Sequence, residues 1–159
     1  MTDNLSRRGF FRQASGRGDV RRPPWTGDDF TDQCTRCNAC IDACPEAILI
    51  RGDGGFPEIR FDVNGCTLCG DCVAVCEEAV FDTARPAFPW HASIQSHCLA
   101  LAGIHCQSCQ DACDYNAIQF PPRLGSAPRP ELDTDACVGC GACLPACPNN
   151  AIALEVANG

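Results

Sequence analysis

The 159-residue chain contains no lysine, one methionine, one tyrosine and little aliphatic mass. Leu, Ile, Val and Phe together supply 32 residues, about 20% of the chain, which is at the margin below which a sequence tends not to collapse around an apolar core. No stretch approaches the roughly 20 consecutive apolar residues of a membrane-spanning helix, so no membrane span is expected. The formal net charge is −8, an acidic balance that argues against nucleic acid as a partner. Also missing are a phosphate-binding glycine loop, a nucleophile elbow and a paired-histidine zinc motif. The chain is therefore not read as an enzyme, and no catalytic residue is assigned. At this length it has room for one domain or two very small ones.

What is abundant is cysteine. Sixteen cysteines fall into four groups, CTRCNACIDACP, CTLCGDCVAVCE, CLALAGIHCQSCQDAC and CVGCGACLPACPN, and three of the four keep an unbroken C-x2-C-x2-C-x3-C spacing. That spacing is the signature of [4Fe-4S] ligation, in which soft thiolates hold the corners of an iron–sulfur cube. Sixteen ligands suffice for four clusters. The third group has seven residues, LALAGIH, between its first two cysteines, so three clusters remain if that group holds none and its cysteines are structural thiols. Metal binding would serve as folding free energy in a chain so poor in core, and the metal-free chain is expected to be largely unfolded. A disulfide framework is disfavoured by the clustered two-residue gaps and by the absence of a signal peptide. Zinc is disfavoured because its sites join two C-x2-C pairs across a longer gap. His97 and His105 adjoin Cys98 and Cys106, but with four cysteines at hand they are not needed as ligands. Gly65, Gly70, Gly139 and Gly141 border cysteines and are suited to aiming backbone N–H groups at sulfur.

Charge is unevenly spread. Residues 1–22 carry six of the twelve arginines against Asp3 and Asp19, and the remainder carries six against eighteen acids. The segment SRRGFF (Ser6–Phe11) resembles a twin-arginine export motif, but it is followed by the polar RQASGRGDVRRPPW rather than an apolar stretch and cleavage site. The expected location is the cytoplasm.

The body is an internal repeat. Aligned on their last three cysteines, the groups recur at spacings of 32 (Cys37 to Cys69), 37 (Cys69 to Cys106) and 34 (Cys106 to Cys140) residues. EAILI, EAVFD, NAIQF and NAIAL follow the four groups, each reading as a helical turn and then a short strand. PEIRFDVNGC and PELDTDAC precede the second and fourth groups as returning strands, with GDGG and LGSAPRP as turns.

This pattern resembles the bacterial two-[4Fe-4S] ferredoxin module, written twice. The resemblance implies an α+β fold of two tandem ferredoxin-like modules with short helices and small β-hairpins, plus an extended arm. The boundaries would be a basic, poorly ordered arm over 1–29, modules over 30–83 and 96–159, and a proline-bearing linker over 84–95. In that family each half gives three cysteines to one cluster and its fourth to the other. By position, Cys34, Cys37, Cys40 and Cys76 would hold one cluster, and Cys66, Cys69, Cys72 and Cys44 the next. In the second module, Cys98, Cys106, Cys109 and Cys147 would form one site and Cys137, Cys140, Cys143 and Cys113 the other. The Cys-Pro step of the family is kept at Pro45 and Pro148, while Glu77 and Asp114 replace it after the second and third groups. A different pairing, first with fourth and second with third, stays open, although the strand–turn–strand pattern in both intervening segments favours the sequential one.

The combination of an SRRG opening, RPPWTG ahead of the first cysteines and the irregular CLALAGIHCQSCQDAC further resembles the ferredoxin-type accessory proteins of the periplasmic nitrate reductase system. That resemblance implies a cytoplasmic maturation factor. Its partners would be the molybdenum-containing catalytic subunit of nitrate reductase, bound before export, and the machinery that handles that subunit's export signal; it would supply electrons or assist iron–sulfur loading. The alternatives are a generic electron-transfer subunit between a donor or quinone partner and a reductase, and a zinc-binding scaffold.

Overall fold

The computed structural model describes residues 20–156. Among the described residues every α-helix is one turn long. They are α1 (Phe30–Gln33), α2 (Ala39–Asp42), α3 (Asp71–Ala74), α4 (Ser108–Asp111) and α5 (Cys143–Ala146). A single helical turn is unstable by itself, so these elements persist only because the chain on both sides is tied down. The strands are β1 (Leu49–Arg51), β2 (Pro57–Ile59), β3 (Trp90–Ile94), β4 (Ile118–Gln119), β5 (Glu131–Leu132) and β6 (Ile152–Val156). The expected α+β fold of two small modules is what these elements build.

Each module carries one hairpin in the position the sequence predicts. In the first, β1 pairs antiparallel with β2 in the register Leu49↔Ile59, Ile50↔Glu58 and Arg51↔Pro57, closed by a 3-10 turn over Asp53–Gly55. In the second, β4 pairs with β5 through Ile118↔Leu132 and Gln119↔Glu131. EAILI and NAIQF thus become first strands, and the segments rich in Pro and Glu become returning strands.

Two stretches behave differently from the sequence reading. The segment 84–95, read as a linker, carries β3, which forms a five-rung antiparallel ladder with β6 from Trp90↔Val156 to Ile94↔Ile152. Its prolines, Pro86 and Pro89, lie just ahead of the ladder, where no backbone N–H is needed. Of the proposed arm, residues 1–19 lie outside the described residues, and residues 20–29 lie against the first module. The carbonyl of Arg21 accepts from Ile59 N, Trp25 N donates to Ala87 O and Trp25 O accepts from Asp82 N. Thr26 bridges to Phe81, and Pro23 is fully buried. Thr26 and Phe81 thus repeat in miniature what β3 and β6 do in the second module.

Two apolar clusters form the core. The first contains Ile48, Leu49, Ile59, Phe61 and Phe88 with the thiols of Cys40 and Cys72; the second contains Ala92, Ala100, Ile118 and Phe120 with Cys109 and Cys143. Leu144 packs against both. Between the modules Phe88 stacks on Trp90 at 4.9 Å and meets Phe61 edge-on at 6.3 Å, while the Trp90 indole N–H donates to Gly139 O at 2.9 Å.

Candidate metal centres

All sixteen cysteines lie within the described residues and none is joined in a disulfide. The third cysteine of each group, Cys40, Cys72, Cys109 or Cys143, sits on a one-turn helix and is buried to within 9% exposure. The preceding cysteines in each group lie on the loops leading into these helices, and Cys37 and Cys69 are exposed.

The cysteines gather in the sequential pattern. Cys44 shares a cavity with Cys66, Cys69 and Cys72. Cys147 shares one with Cys98, Cys106 and Cys109. Cys113 shares one with Cys137, Cys140 and Cys143. Each of the three cavities spans about 350 Å³, the space open to solvent included. Cys40 lies within electrostatic reach of Cys34, Cys37 and Cys76. Each quartet therefore takes three cysteines from one group and the fourth from the other group of the same module.

Burial and mutual proximity act on these thiols together. Burial is the larger cause, followed mainly by neighbouring sulfurs, and it pushes Cys40 up to about 11 and Cys72 to about 12. Burial likewise pushes Cys66 and Cys109 to about 11 and Cys143 to about 12, and raises Cys140. At neutral pH these groups are thiols, so a metal must displace their protons, after which the site holds four soft thiolates. Among the described residues no group of three or more His, Cys, Asp or Glu side chains is arranged to hold a single metal ion. The quartets instead line cavities, a donor set and shape that fit a polynuclear cube.

Backbone geometry supports the same fit. The residues flanking the second cysteine are left-handed in three groups: Arg36 and Asn38, Leu68 and Gly70, Gly139 and Gly141. Successive residues of this kind turn N–H groups toward one concavity, as in anion-binding nests. For Arg36, Asn38 and Leu68 the conformation costs about 1 kcal/mol or more, a strain that persists only where surrounding structure imposes it. Donors reach sulfur from Arg36 N to Cys34 at 3.4 Å, Ala92 N to Cys137 at 3.4 Å and Ala151 N to Cys147 at 3.2 Å. Such bonds favour thiolate and tune a cluster's potential.

Group three departs from this pattern, as its sequence does. Gln107 is not left-handed (φ −135°), and the inserted residues fold into a compact turn with Ala102 N on Cys98 O and Ile104 N on Leu99 O. The turn returns Cys98 to the same cavity as Cys106. His97 is not among the residues that line that cavity, and its ring Nε2 lies 3.2 Å from Asn150 O.

The sequence reading did not find the strained residues Arg36, Asn38 and Leu68, or Ala92 as a sulfur donor. The first set had a signal. Aligned repeats place glycine at the equivalent positions 70, 139 and 141, which marks those positions as left-handed. Ala92 had none, because nothing local distinguishes its N–H from any other in a short strand.

The 4Fe-4S dicluster domain family matches the chain twice, over residues 33–80 and 104–151, so that Cys98 lies outside the second match. The chain is 49% identical to the ferredoxin-type protein NapF of Haemophilus influenzae, over 84% of this chain and 78% of that protein. It is 41% identical to the ferredoxin-type protein NapF of Escherichia coli strain K12, over 98% of this chain and 97% of that protein. Among solved structures, a chain of the formate dehydrogenase, heterodisulfide reductase and formylmethanofuran dehydrogenase complex from Methanospirillum hungatei is similar at TM-score 0.32 and 22% identity, covering 85% of this chain and 53% of that one.

Proposed function

The chain belongs to the NapF family of ferredoxin-type proteins, built from tandem 4Fe-4S dicluster domains, and from that membership we propose that it is a four-cluster accessory protein of periplasmic nitrate reductase. It acts in the cytoplasm, binds the molybdenum-containing catalytic subunit before export, and supplies electrons or assists that subunit's iron–sulfur loading. Bound in these sites, each [4Fe-4S] cluster supplies a one-electron couple.

The observation that carries the cluster reading is the three-plus-one sharing of cysteines within each module. The ligand sets are Cys34, Cys37, Cys40 with Cys76; Cys66, Cys69, Cys72 with Cys44; Cys98, Cys106, Cys109 with Cys147; and Cys137, Cys140, Cys143 with Cys113. The protein's own residues supply thiolates, hold them around a cavity, and place N–H donors on sulfur. The module hairpins β1–β2 and β4–β5 fix the distance between each trio and the fourth cysteine it receives. No helix among the described residues is long and apolar enough to cross a membrane, which accords with a partner-binding rather than a membrane-spanning part in the system.

Anaerobic reconstitution tests the cofactor load: the sixteen thiols correspond to about sixteen iron and sixteen acid-labile sulfide per chain. About twelve of each would leave group three without a cluster, and stoichiometric zinc without sulfide would overturn the reading. An anaerobic pull-down from nitrate-respiring cells tests the role. Recovery of the molybdenum subunit, still bearing its export signal, is the expected result; a quinone-linked reductase without it would make the protein a general electron carrier.

A further inference from the structure

The seam between the modules brings together two quartets that belong to different modules. Cys66 of group two donates its backbone N–H to Cys140 O of group four at 2.8 Å, and the Cys140 thiol is one of the groups that raise Cys66. Gly65 meets Ala142 so closely that a Cβ at residue 65 would lie 2.6 Å from the backbone N and Cα of Ala142. From the other side Gly141, left-handed at φ +76°, backs onto the Phe61 ring, which a Cβ would meet at 2.6 Å. Tyr115, the single tyrosine of the chain, lies beside this junction, its hydroxyl raised first by partial burial and then by Cys140 and Cys66. Inside the modules the corresponding links are the packing of α2, which carries Cys40, on α3, which carries Cys72, and of α4, which carries Cys109, on α5, which carries Cys143.

These three contacts join the quartets end to end. We infer that the protein is one ordered electron line, running through the quartets of groups one, two, four and three in that order, with the backbone seam of Gly65 and Cys66 against Cys140 to Ala142 as its middle link. The inference rests on the four-cluster reading above. Each transfer along the line oxidises the centre held at one quartet and reduces the centre held at the next by one electron; no bond is made or broken and no proton need move. Electron tunnelling falls steeply with separation, so the approach of Cys66 to Cys140 decides whether the modules exchange electrons at all. The absence of a side chain at Gly65 is what permits that approach. The quartets of groups one and three then form the two ends, where outside donors and acceptors meet the line. The irregular turn of group three, with Ile104 exposed, lies at an end and not in the middle.

The test uses the full-length, cluster-loaded chain reduced with dithionite and read by electron paramagnetic resonance. The wild-type spectrum should show magnetic interaction linking the two modules. Gly65→Ala and Gly141→Ala should lose that inter-module interaction, read per reduced cluster so that any change in iron content is accounted for, while the interaction within each module persists. Gly125→Ala serves as a control for left-handed strain, since Gly125 has φ +75° and open space around its Cβ position; it should behave as wild type. A wild-type spectrum that is the sum of two independent modules overturns the inference whatever the variants do, as do seam variants with undiminished inter-module interaction. Absence of sulfide and of any reduced-cluster signal in the wild type would instead overturn the four-cluster reading itself.

Discussion

The two modules hold similar cysteine geometry by different means. The second is closed by five rungs of ladder between β3 and β6 and filled with small side chains, Ala92, Ala100, Ala117 and Ala151 all being at most 2% exposed. The first has a single bridge, Thr26↔Phe81, at the equivalent place. It compensates with aromatics: Phe30 and Phe56 at 6.4 Å, Phe61 against Phe88, and Arg22 at 5.6 Å from both the Phe30 and Phe56 rings. Their hairpins differ as well. The first turns tightly through Asp53–Gly55, whereas the second crosses residues 120–130, where Leu124 is fully exposed. Thiol placement is thus the common requirement, and either hydrogen-bonded ladder or aromatic packing can meet it.

Removal of the metal is the largest perturbation, because neither module has enough apolar core to stand by itself. Iron chelation should abolish most ordered structure in both, with unequal residue. Hydrogen exchange should then find slow amides surviving in β3 and β6 and none at residues 25–26 and 81–82; equal loss would show that the ladder adds no local stability. Reloading should accelerate as pH rises from 7 toward 9. Thiols released from burial in the metal-free chain are still mainly protonated at neutral pH, a free cysteine titrating at about 8.5, and protons compete with iron for sulfur.

Cysteine exchange within a module can be broken one side at a time. Cys44→Ala should remove about one cluster's iron, the one built on Cys66, Cys69 and Cys72, and spare that of Cys34, Cys37 and Cys40. Cys147→Ala should do the same to the cluster of Cys98, Cys106 and Cys109. If Cys44→Ala instead spoils the cluster of Cys137, Cys140 and Cys143, the first group is wired to the fourth. Iron analysis with spectroscopy of each variant distinguishes these outcomes.

A third comparison weighs the cores. Phe61 is 6% exposed and props Phe88 and the Gly141 turn, so Phe61→Ala should destabilise by about 3–5 kcal/mol. Ala92→Gly, at the centre of the opposing ladder, should cost only about 0.5–1 kcal/mol. Denaturant unfolding of the holo-chain measures both, and similar losses would mean that the first module does not depend on its aromatics as its packing implies.

Much of this was legible because cysteine spacing is a long-range constraint written locally. A C-x2-C-x2-C loop must curl around its cargo, and the repeat of tails after each group exposed both hairpins. The missing parts have a common physical reason. β3 owes its existence to β6 about sixty residues away, and five residues of mixed character just after two prolines carry no period strong enough to announce a partner. Residues 20–29 looked like the tail of a basic arm because Arg21, Arg22 and two prolines are ordinary features of a solvated segment. Their burial depends on Phe30, Phe56 and the β2 edge, which only the folded module supplies.

That last misreading divides the basic N-terminal segment into two parts that experiments can separate. Arg22 donates to Pro57 O at 3.2 Å, pairs with Glu58 at 3.7 Å and lies near the two phenylalanine rings. Arg22→Ala should therefore lower the stability of the first module by about 1–2 kcal/mol, the combined worth of a partly exposed hydrogen bond and a cation–π contact, without altering affinity for the proposed nitrate reductase partner. Arg7, Arg8, Arg12 and Arg17 stand upstream of every described contact. If they belong to partner recognition, deleting residues 2–19 should weaken binding at low salt and progressively less as salt screens the wild-type arm, while unfolding and iron content stay unchanged. A deletion that leaves binding intact would remove the arm from the docking role, and one that destabilises the first module would show that its anchorage begins before residue 20.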